Sequence, residues 1–199
     1  MIDLHSHIIY GIDDGARTLE ESLALGRMAA AGGTRAIAAT PHGPGSVASR
    51  VYDAELIAER AAEIEVALRA QGVELRVVAG TELNFDAKVV EALRYGLVVP
   101  YAGTRTVLLE PTHGFTASFE TVVFAIQALG YQVLLAHPER VAEVQSDPNR
   151  LIPLIERGVL MQLTAEALTG AQGGRMQRLC ETLVAHRLIQ VIATDTHRP

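Results

Sequence analysis

The chain has 199 residues, of which 49 % are hydrophobic and 20 % charged, a composition that predicts one globular domain over residues 1–199. Its formal net charge is −6 and no block of like charge stands out, which argues against binding to nucleic acid. The N-terminus has no cationic segment followed by an apolar stretch, and no apolar run approaches the ~18 residues that span a bilayer. We therefore expect a cytoplasmic protein without membrane insertion.

Short apolar runs alternate with amphipathic segments along the whole chain. The first run, MIDLHSH, is followed by a helix that Thr18 and Glu21 open as a capping pair and that ends at the glycine pair beginning with Gly32. The second run, TRAIAATPH, precedes a helix that Asp53 caps and that stops at Gly72. Each strand-like run in this half is thus followed by a predicted helix.

The second half of the chain continues the same alternation. Its apolar runs are VELRVVAGTE, TVLLEP, QVLLAHPER, VLMQLTA and LIQVIATDTH. Three helices are predicted between them, from Asp86 to Gly96, from Ser118 to Gly130 and from Asp147 to Gly158. Seven nearly continuous apolar runs that alternate with helices indicate an α/β fold in which helices cover a parallel sheet. A closed or distorted barrel fits this pattern well, and an open doubly wound sheet is the alternative.

Side chains that can bind metals stand at the C-terminal ends of nearly all these runs. His5 and His7 are two residues apart, so on a strand they point to the same face and can hold one ion together. Asp195 and His197 repeat this spacing on the last run. In α/β barrels the strand ends and the loops that follow them build the active site. The predicted site residues at these ends are His5, His7, His42, Glu82, Glu110, His137, Asp195 and His197.

Four carboxylates, one of them in the loop after the first run, would point into one barrel mouth. They would repel one another strongly, because partly buried like charges are screened poorly, and divalent cations would remove that repulsion. Three such ions with one hydroxide would leave a net charge of about +1, which suits a phosphate dianion. Mixed imidazole and carboxylate ligation favours Mn, Fe or Zn over Ca. The four carboxylates are Asp14, Glu82, Glu110 and Asp195.

The single cysteine excludes two other kinds of chemistry. Because Cys180 has no partner, an internal disulfide cannot form, and metal ligands must be nitrogen or oxygen atoms. A cysteine-dependent tyrosine phosphatase needs an arginine six positions after its nucleophile, but His186 stands there and Arg187 is one position too late. We therefore interpret Cys180 as a core residue of a helix.

At the histidines and carboxylates that follow the apolar runs, the sequence resembles the PHP (polymerase and histidinol phosphatase) superfamily. Within it, the chain is similar to the bacterial manganese-dependent protein tyrosine phosphatases of capsule and exopolysaccharide operons. The strings MIDLHSH, DDGARTLEESL, ATPH, GTELNFD, LLEP, AHPER and ATDTH stand in the family's order and at about its spacing. Together they cover essentially the whole chain, and the set is far more specific than any one motif.

The resemblance implies a distorted seven-stranded TIM-like (β/α)7 barrel that holds three divalent ions. Manganese is the implied metal, with iron, zinc or magnesium as alternatives. The implied ligands are His5, His7, Glu82 and Asp195 for the first ion, Glu82 as a bridge with Glu110 and His137 for the second, and Asp14, His42 and His197 for the third. Arg140 matches an arginine that contacts the substrate phosphate, a role that suits the forked guanidinium.

One departure from the family concerns the last helix. Relatives continue beyond the last strand through a loop and a helix that carry a second substrate-binding arginine, whereas this sequence ends two residues after His197. Arg198 is nearby but is not in that position. We therefore expect the last strand to be poorly covered and the substrate affinity to be affected.

The predicted reaction is hydrolysis of a phosphate monoester without a covalent enzyme intermediate. The metals would supply a hydroxide and neutralise charge on the phosphate oxygens, which Arg140 would orient. A phenolate leaving group with a pKa of about 10 departs with modest help, which makes a general acid dispensable for the hydrolysis of phosphotyrosine. His113 in PTHGF is the candidate if an acid is needed, and Asp13 is predicted to orient a ligand or cap its loop.

The resemblance also implies a partner, an autophosphorylating bacterial tyrosine kinase with a tyrosine-rich tail that controls capsule or exopolysaccharide synthesis. Three other functions stay open at this point. A phosphatase of histidinol phosphate or another small molecule would use the same metals, although DDG and GTELNFD favour the tyrosine phosphatase branch. A nuclease or polymerase-associated domain is disfavoured by the negative charge. A non-catalytic regulatory module would keep the metals and show no turnover.

Overall fold

The computed structural model of the protein describes residues 1–86, 88–112, 114–116 and 118–199. Within these residues the chain forms eight strands, and every strand pairs in parallel with its neighbours. The first sheet has the order β1-β2-β3 and the second the order β4-β5-β6-β7-β8. The strands are β1 Ile2–Asp3, β2 Ala36–Ala39, β3 Arg76–Ala79, β4 Glu82–Asn84, β5 Thr106–Glu110, β6 Gln132–Ala136, β7 Leu160–Thr164 and β8 Val191–Ala193.

Helices follow the strands, as the alternation of the sequence predicts. The α-helices are α1 Leu19–Ala31, α2 Ala54–Ala70, α3 Val89–Arg94, α4 Phe119–Ala128, α5 Ala142–Ser146, α6 Ile152–Glu156, α7 Ala165–Thr169 and α8 Gly174–Ala185. Short 3₁₀ helices occupy Pro138–Arg140 and Pro148–Leu151. None of the helices in the described part of the chain is long and apolar enough to cross a membrane. The α/β architecture with parallel sheets is therefore confirmed.

Most of the predicted helix starts are found, with local differences. Asp53 accepts hydrogen bonds from the backbone N–H groups of Glu55 and Leu56 and so caps α2. The Thr18 hydroxyl accepts from the N–H of Glu21, but the Glu21 carboxylate binds Arg17 rather than closing the capping box. The predicted helix after Pro148 begins as the 3₁₀ segment and becomes α6.

The third apolar run is divided into two strands, so the seven predicted runs form eight strands in the described residues. β3 ends at Ala79 and β4 begins at Glu82, so Gly80 and Thr81 belong to neither strand. Gly80 lies in a tight position, because a Cβ there would be 3.2 Å from Thr40 and 3.3 Å from Tyr101. The chain therefore leaves the first sheet and enters the second within one run.

Backbone contacts join the two sheets at both of their junctions. His42 forms a parallel bridge with Glu82, and Ser6 forms another with Thr196. Near the second bridge, the Asp3 carboxylate accepts hydrogen bonds from the backbone N–H and the hydroxyl of Thr194, at 3.1 and 2.6 Å. These contacts bring the C-terminal ends of the first and last strands together.

The core divides between the helices that pack on each sheet. Ile37, Ile57 and Leu68 belong to the cluster beneath α1 and α2. Phe119 and Leu163 belong to the larger cluster that the remaining helices form with the second sheet. In β8, by contrast, Ile192 keeps 46 % of its surface exposed.

Candidate metal centre

The centre begins with two histidines directly after β1. His5 and His7 are both fully buried, and their Nε2 atoms lie 3.3 Å apart. Glu82 faces this pair from the start of β4. Its Oε1 atom lies 3.4 Å from the Nε2 atom of His5, and its Oε2 atom lies 3.4 Å from the Nε2 atom of His7. Asp195 approaches from the other side, where its Oδ1 atom lies 3.2 Å from His5 Nε2 and 3.3 Å from His7 Nε2. Two imidazoles and two carboxylates therefore converge on one buried point.

Two further residues lie beside Glu82. His137 follows β6, and its Nε2 atom is 2.9 Å from Glu82 Oε1. Glu110 ends β5, and its Oε2 atom accepts a hydrogen bond of 3.1 Å from the side-chain amide of Asn84. His42 Nδ1 lies 3.1 Å from the other Glu82 oxygen. Glu82 is thus surrounded by imidazoles on both of its oxygens.

The remaining members lie nearer the surface. The Nε2 atoms of His42 and His197 are 3.7 and 3.6 Å from the same oxygen of Asp14. The ring of His197 stacks on that of His7 with 3.9 Å between centroids. Because the Asp14 side chain is 52 % exposed, this part of the centre is open to solvent.

All nine residues that the sequence predicts as metal ligands fall into groups whose ligand atoms lie within 4.8 Å of one another. The groups differ in detail from the sets implied by the resemblance, since Glu110 clusters with His42 and Glu82 rather than with His137. The four groups are His7, Asp14, His42 and His197; His5, His137 and Asp195; His5, His7 and Glu82; and His42, Glu82 and Glu110.

Two buried side chains orient the first pair of histidines. Asp13 Oδ2 lies 2.7 Å from His7 Nδ1, and Gln162 Oε1 lies 2.8 Å from His5 Nδ1. An ionised carboxylate can only accept, so His7 donates from Nδ1, and Nε2 is the ring nitrogen that faces the centre. Asp13 also accepts from the backbone N–H groups of Gly15 and His42, so it both orients a histidine and caps its loop, as predicted.

The backbone is strained at two members of the centre. His137 and Asp195 adopt φ angles of +31° and +54°, a region that residues other than glycine seldom occupy. Such conformations persist where the surrounding structure holds them and are common at functional sites. Here each strained residue directs a metal-competent side chain into the same cluster.

Burial and charge oppose each other in the centre. Burial alone would lower the pKa of His7, but hydrogen bonds, first of all to Asp13, raise that pKa well above its ordinary value. Burial would raise the pKa of Glu82, yet the positive charge of His5 and hydrogen bonds from histidines lower it well below its usual range. Burial and the charge of Glu82 raise the pKa of Glu110. The carboxylates therefore depend on nearby positive charge.

The donor set fits divalent metal ions. Asp195 Oδ1 and His42 Nδ1 are buried atoms without a hydrogen-bond partner in the described part of the chain, although buried polar atoms are normally paired. Both belong to the groups of convergent ligand atoms. Imidazole nitrogen and carboxylate oxygen are the ligands expected for Mn, Fe or Zn. Cations at this point would satisfy the open atoms and offset the carboxylate charge.

A cavity of about 300 Å³ opens beside the centre. Arg140 lies on its wall, and an Nη atom of Arg140 donates a hydrogen bond of 2.6 Å to Asp195 Oδ2. The other candidate for a catalytic role, His113, lies outside the described residues. Side chains and backbone that line the cavity include Glu110, Thr112, Gly114, His137, Arg140 and Glu143.

Cys180 takes no part in this cavity. It is fully buried in α8, and burial together with the charge of Glu139 raises the pKa of its thiol to about 12. A thiol with such a pKa stays protonated and is a poor nucleophile near neutral pH. The prediction that Cys180 is a helix core residue is confirmed.

The comparison with known families agrees with this geometry. The family model described as "Capsular polysaccharide synthesis, CpsB/CapC" matches residues 1–199, the full length of the sequence. The chain belongs to the CpsB/CapC family. Among curated members, it is 31 % identical over 198 residues to the tyrosine-protein phosphatase YwqE of Bacillus subtilis strain 168, covering 99 % of this chain and 77 % of the relative. It is 26 % identical over 203 residues to the tyrosine-protein phosphatase CpsB of Streptococcus pneumoniae, covering 99 % and 83 %.

Solved structures extend the family comparison. A structure from work on YwqE of Bacillus subtilis and CpsB of Streptococcus pneumoniae, described as metal-dependent tyrosine phosphatases, has a TM-score of 0.92 to this CpsB/CapC chain. It is 31 % identical, and the match covers 100 % of this chain and 80 % of that one. A structure described as a histidinol phosphatase from Listeria monocytogenes has a TM-score of 0.59 at 12 % identity and covers 99 % and 95 %. This second likeness concerns the fold alone.

Proposed function

We propose that this CpsB/CapC chain is a metal-dependent phosphatase that hydrolyses phosphotyrosine in a protein substrate. The convergence of nine histidine and carboxylate side chains beside a cavity that contains an arginine is the observation that carries the proposal. The substrate class is supported by the relatives, which bear the name tyrosine-protein phosphatase. The proposed partner is a bacterial tyrosine kinase that controls capsule or exopolysaccharide synthesis.

The proposed cofactor is a set of three divalent ions, with manganese as the first choice. Glu82 belongs to two of the groups of convergent ligand atoms, and its two oxygens face different imidazoles, so it can bind one ion with each oxygen; this supports more than one ion. When bound, such ions lower the pKa of water and neutralise charge on phosphate oxygens. The proposed ligands are His5, His7, Asp14, His42, Glu82, Glu110, His137, Asp195 and His197.

The protein's own side chains would orient both the ligands and the phosphate. Asp13 and Gln162 fix the rings of His7 and His5, so that each Nε2 atom faces the centre. The guanidinium of Arg140 has donors beyond the one that binds Asp195, and these could fork onto two phosphate oxygens in the adjacent cavity. A tyrosine leaving group with a pKa of about 10 needs only modest assistance. The described residues thus supply groups that orient the metal ligands and a group that can bind the phosphate.

We also propose that the two sheets act as one distorted seven-stranded barrel in a single domain, with β3 and β4 counted together. The bridges from His42 to Glu82 and from Ser6 to Thr196 support this description, since they connect the sheets at both junctions. The proposed site would then occupy the C-terminal mouth of that barrel, the usual place for active sites in α/β barrels.

The proposal is tested by measuring initial rates on a phosphotyrosyl peptide and on histidinol phosphate side by side. Each rate is measured with added Mn²⁺, after chelation, and after restoring Mn²⁺. Turnover that favours the peptide, disappears with the chelator and returns with the metal is the expected result. Preference for histidinol phosphate would indicate the metabolic branch, and a folded, metal-loaded protein without turnover on either substrate would indicate a regulatory module.

A further inference from the structure

One turn of the chain carries two of the proposed functional residues. It runs from His137 through the 3₁₀ helix Pro138–Arg140, so its ends are a proposed metal ligand and the proposed phosphate-binding arginine. His137 is held at a φ angle of +31°, and the backbone N–H of Arg140 donates to the His137 carbonyl at 3.0 Å. A non-glycine residue in this conformation needs contacts that hold it there.

Glu139, in the middle of this turn, points away from solvent. It is fully buried although it carries a carboxylate. Its Oε1 atom accepts a hydrogen bond of 3.0 Å from the backbone N–H of Thr164, at the end of β7. Its Oε2 atom is buried and has no hydrogen-bond partner within the described residues. Burying a carboxylate with so few partners is costly, so the position calls for a specific role.

The residue that Glu139 binds is also the residue that Arg140 approaches. An Nη atom of Arg140 lies 3.5 Å from the hydroxyl of Thr164 and donates to Asp195 Oδ2 at 2.6 Å. Two consecutive side chains of the turn therefore contact Thr164, one at its backbone N–H and the other at its hydroxyl. Thr164 itself is 1 % exposed and belongs to β7, which makes it a rigid anchor.

We propose that Glu139 is a positioning residue that fastens the turn from His137 to Arg140 onto the end of β7, and that it thereby aims Arg140 at the substrate phosphate. The inference rests on the proposed function, because it assigns Arg140 a phosphate to bind. Glu139 itself does not touch the cavity and takes no part in the chemical step. The proposal depends on the length of the Glu139 side chain, because its carboxylate oxygen must come within hydrogen-bond distance of the backbone N–H of Thr164.

Two substitutions separate reach from charge. Glu139→Gln keeps the length of the side chain and an oxygen acceptor but removes the charge. Glu139→Asp keeps the charge but is one methylene shorter and cannot reach Thr164 without moving the turn. Glu166→Gln, on the exposed surface of α7 directly after Thr164, makes the same chemical change as the first variant and serves as the control.

The readouts are binding of inorganic phosphate to the manganese-loaded protein by calorimetry, KM and kcat on a phosphotyrosyl peptide, and the melting temperature. We expect Glu139→Asp to weaken phosphate binding and raise KM by about 10-fold, with a smaller effect on kcat, because contacts to phosphate are lost in both ground and transition states. Glu139→Gln should retain phosphate binding within about threefold of the native protein. The control should match the native protein in all readouts.

A double-mutant cycle shows whether Glu139 acts through Arg140. In the Arg140→Ala background, Glu139→Asp should change phosphate binding little, since the guanidinium that Glu139 positions is already absent. An equal loss in both backgrounds, or a lowered melting temperature with unchanged phosphate binding, would overturn the positioning role. If Glu139→Gln were impaired and Glu139→Asp normal, charge rather than reach would matter, and the inference would be wrong.

Measurements on the native protein test the proposed function independently of the role of Glu139. A native, manganese-loaded sample that neither binds phosphate nor hydrolyses the peptide would overturn both the proposed function and the positioning role. A native sample that does both, with Glu139→Asp indistinguishable from it, would overturn the positioning role alone.

Discussion

The two ends of the strands differ in chemistry although the same strands form both. At the C-terminal ends, imidazoles and carboxylates meet in buried groups with open ligand atoms. At the N-terminal ends, a cavity of about 340 Å³ is lined mostly by apolar side chains. They include Ile2, Leu4, Ala36, Leu134, Leu160 and Val191. The contrast agrees with the proposed function, in which the C-terminal ends carry the chemistry and the N-terminal ends carry stability, a division typical of α/β barrels.

Tyr101 is a polar residue at the apolar end, and its hydroxyl is paired with a backbone carbonyl. Its hydroxyl donates a hydrogen bond of 2.7 Å to the backbone carbonyl of Leu4. Burial first, and then the charges of Glu82 and Asp3, raise the pKa of this phenol. A neutral hydroxyl here satisfies the backbone carbonyl directly after β1, whereas the other end contains charged groups that depend on one another. The predictions below follow from this difference, in order of decreasing effect on activity.

Removing the shared carboxylate should have the largest effect. Glu82 contacts histidines with both oxygens, so Glu82→Gln would weaken ligation at more than one position. We expect activity on a phosphotyrosyl peptide to fall about 1000-fold, equivalent to about 4 kcal/mol of transition-state stabilisation. Steady-state kinetics at saturating Mn²⁺ measures the loss, with circular dichroism as the control for folding. Activity within tenfold of the native protein would argue against a metal-bridging role.

Removing the guanidinium should mainly affect substrate binding. In Arg140→Ala the cavity loses its charged donor, and KM should rise about 30-fold while kcat changes less. Arg140→Lys should recover only part of this loss, because an ammonium cannot fork onto two oxygens. Michaelis–Menten analysis of all three proteins is the measurement. Equal KM values in all three would show that Arg140 does not contact the phosphate.

Removing the orienting groups should weaken metal binding rather than abolish it. Asp13→Asn and Gln162→Leu each disturb the histidine tautomer that presents Nε2 to the centre. We expect Mn²⁺ affinity to fall about 10- to 100-fold in each case. Equilibrium titration of the metal-free proteins measures this, and restoring activity at high Mn²⁺ concentration is the control. Unchanged affinity in both variants would leave the two residues with a purely structural role.

A substitution at the apolar end should have the smallest effect on activity. Leu134 is 1 % exposed and lines the cavity at that end. Leu134→Ala should lower the free energy of unfolding by about 3 kcal/mol, because transfer and cavity costs add. Activity per folded molecule should stay within about twofold of the native value. Denaturant unfolding measures the change in stability, and kinetics at low temperature measures the activity of the folded variant. A large loss of kcat in the folded variant would contradict the separation of catalysis and stability between the two ends of the strands.

The convergence of these histidines and carboxylates could be predicted from their residue types and from their positions at the ends of apolar runs. Histidines and carboxylates at the ends of apolar runs are unusual, and the parallel arrangement of the strands brings such ends together. Thr18 and Asp53 likewise mark helix starts through local hydrogen bonds, which depend only on neighbouring residues. These features need no knowledge of distant contacts.

Other features depended on contacts across the chain and could not be read in advance. Gln162 is a neutral amide within an apolar run, and only the folded structure brings it to His5, 157 residues away in sequence. Glu139 stands in the string AHPER, yet its burial against Thr164 depends on the packing of β7. The break at Gly80 depends on the approach of Thr40 and Tyr101 from other segments. The short helices α5 and α7, of five residues each, carry too little periodicity to be predicted.

Anomalous diffraction from crystals soaked in Mn²⁺, collected at the manganese absorption edge, tests the metal centre most directly. We predict separate peaks at the C-terminal ends of the strands, the strongest enclosed by the side chains of His5, His7, Glu82 and Asp195. Peaks within coordinating distance of these residues would locate the metals where the buried ligand atoms converge. Occupied manganese sites elsewhere on the molecule, with none at this cluster, would contradict the assignment.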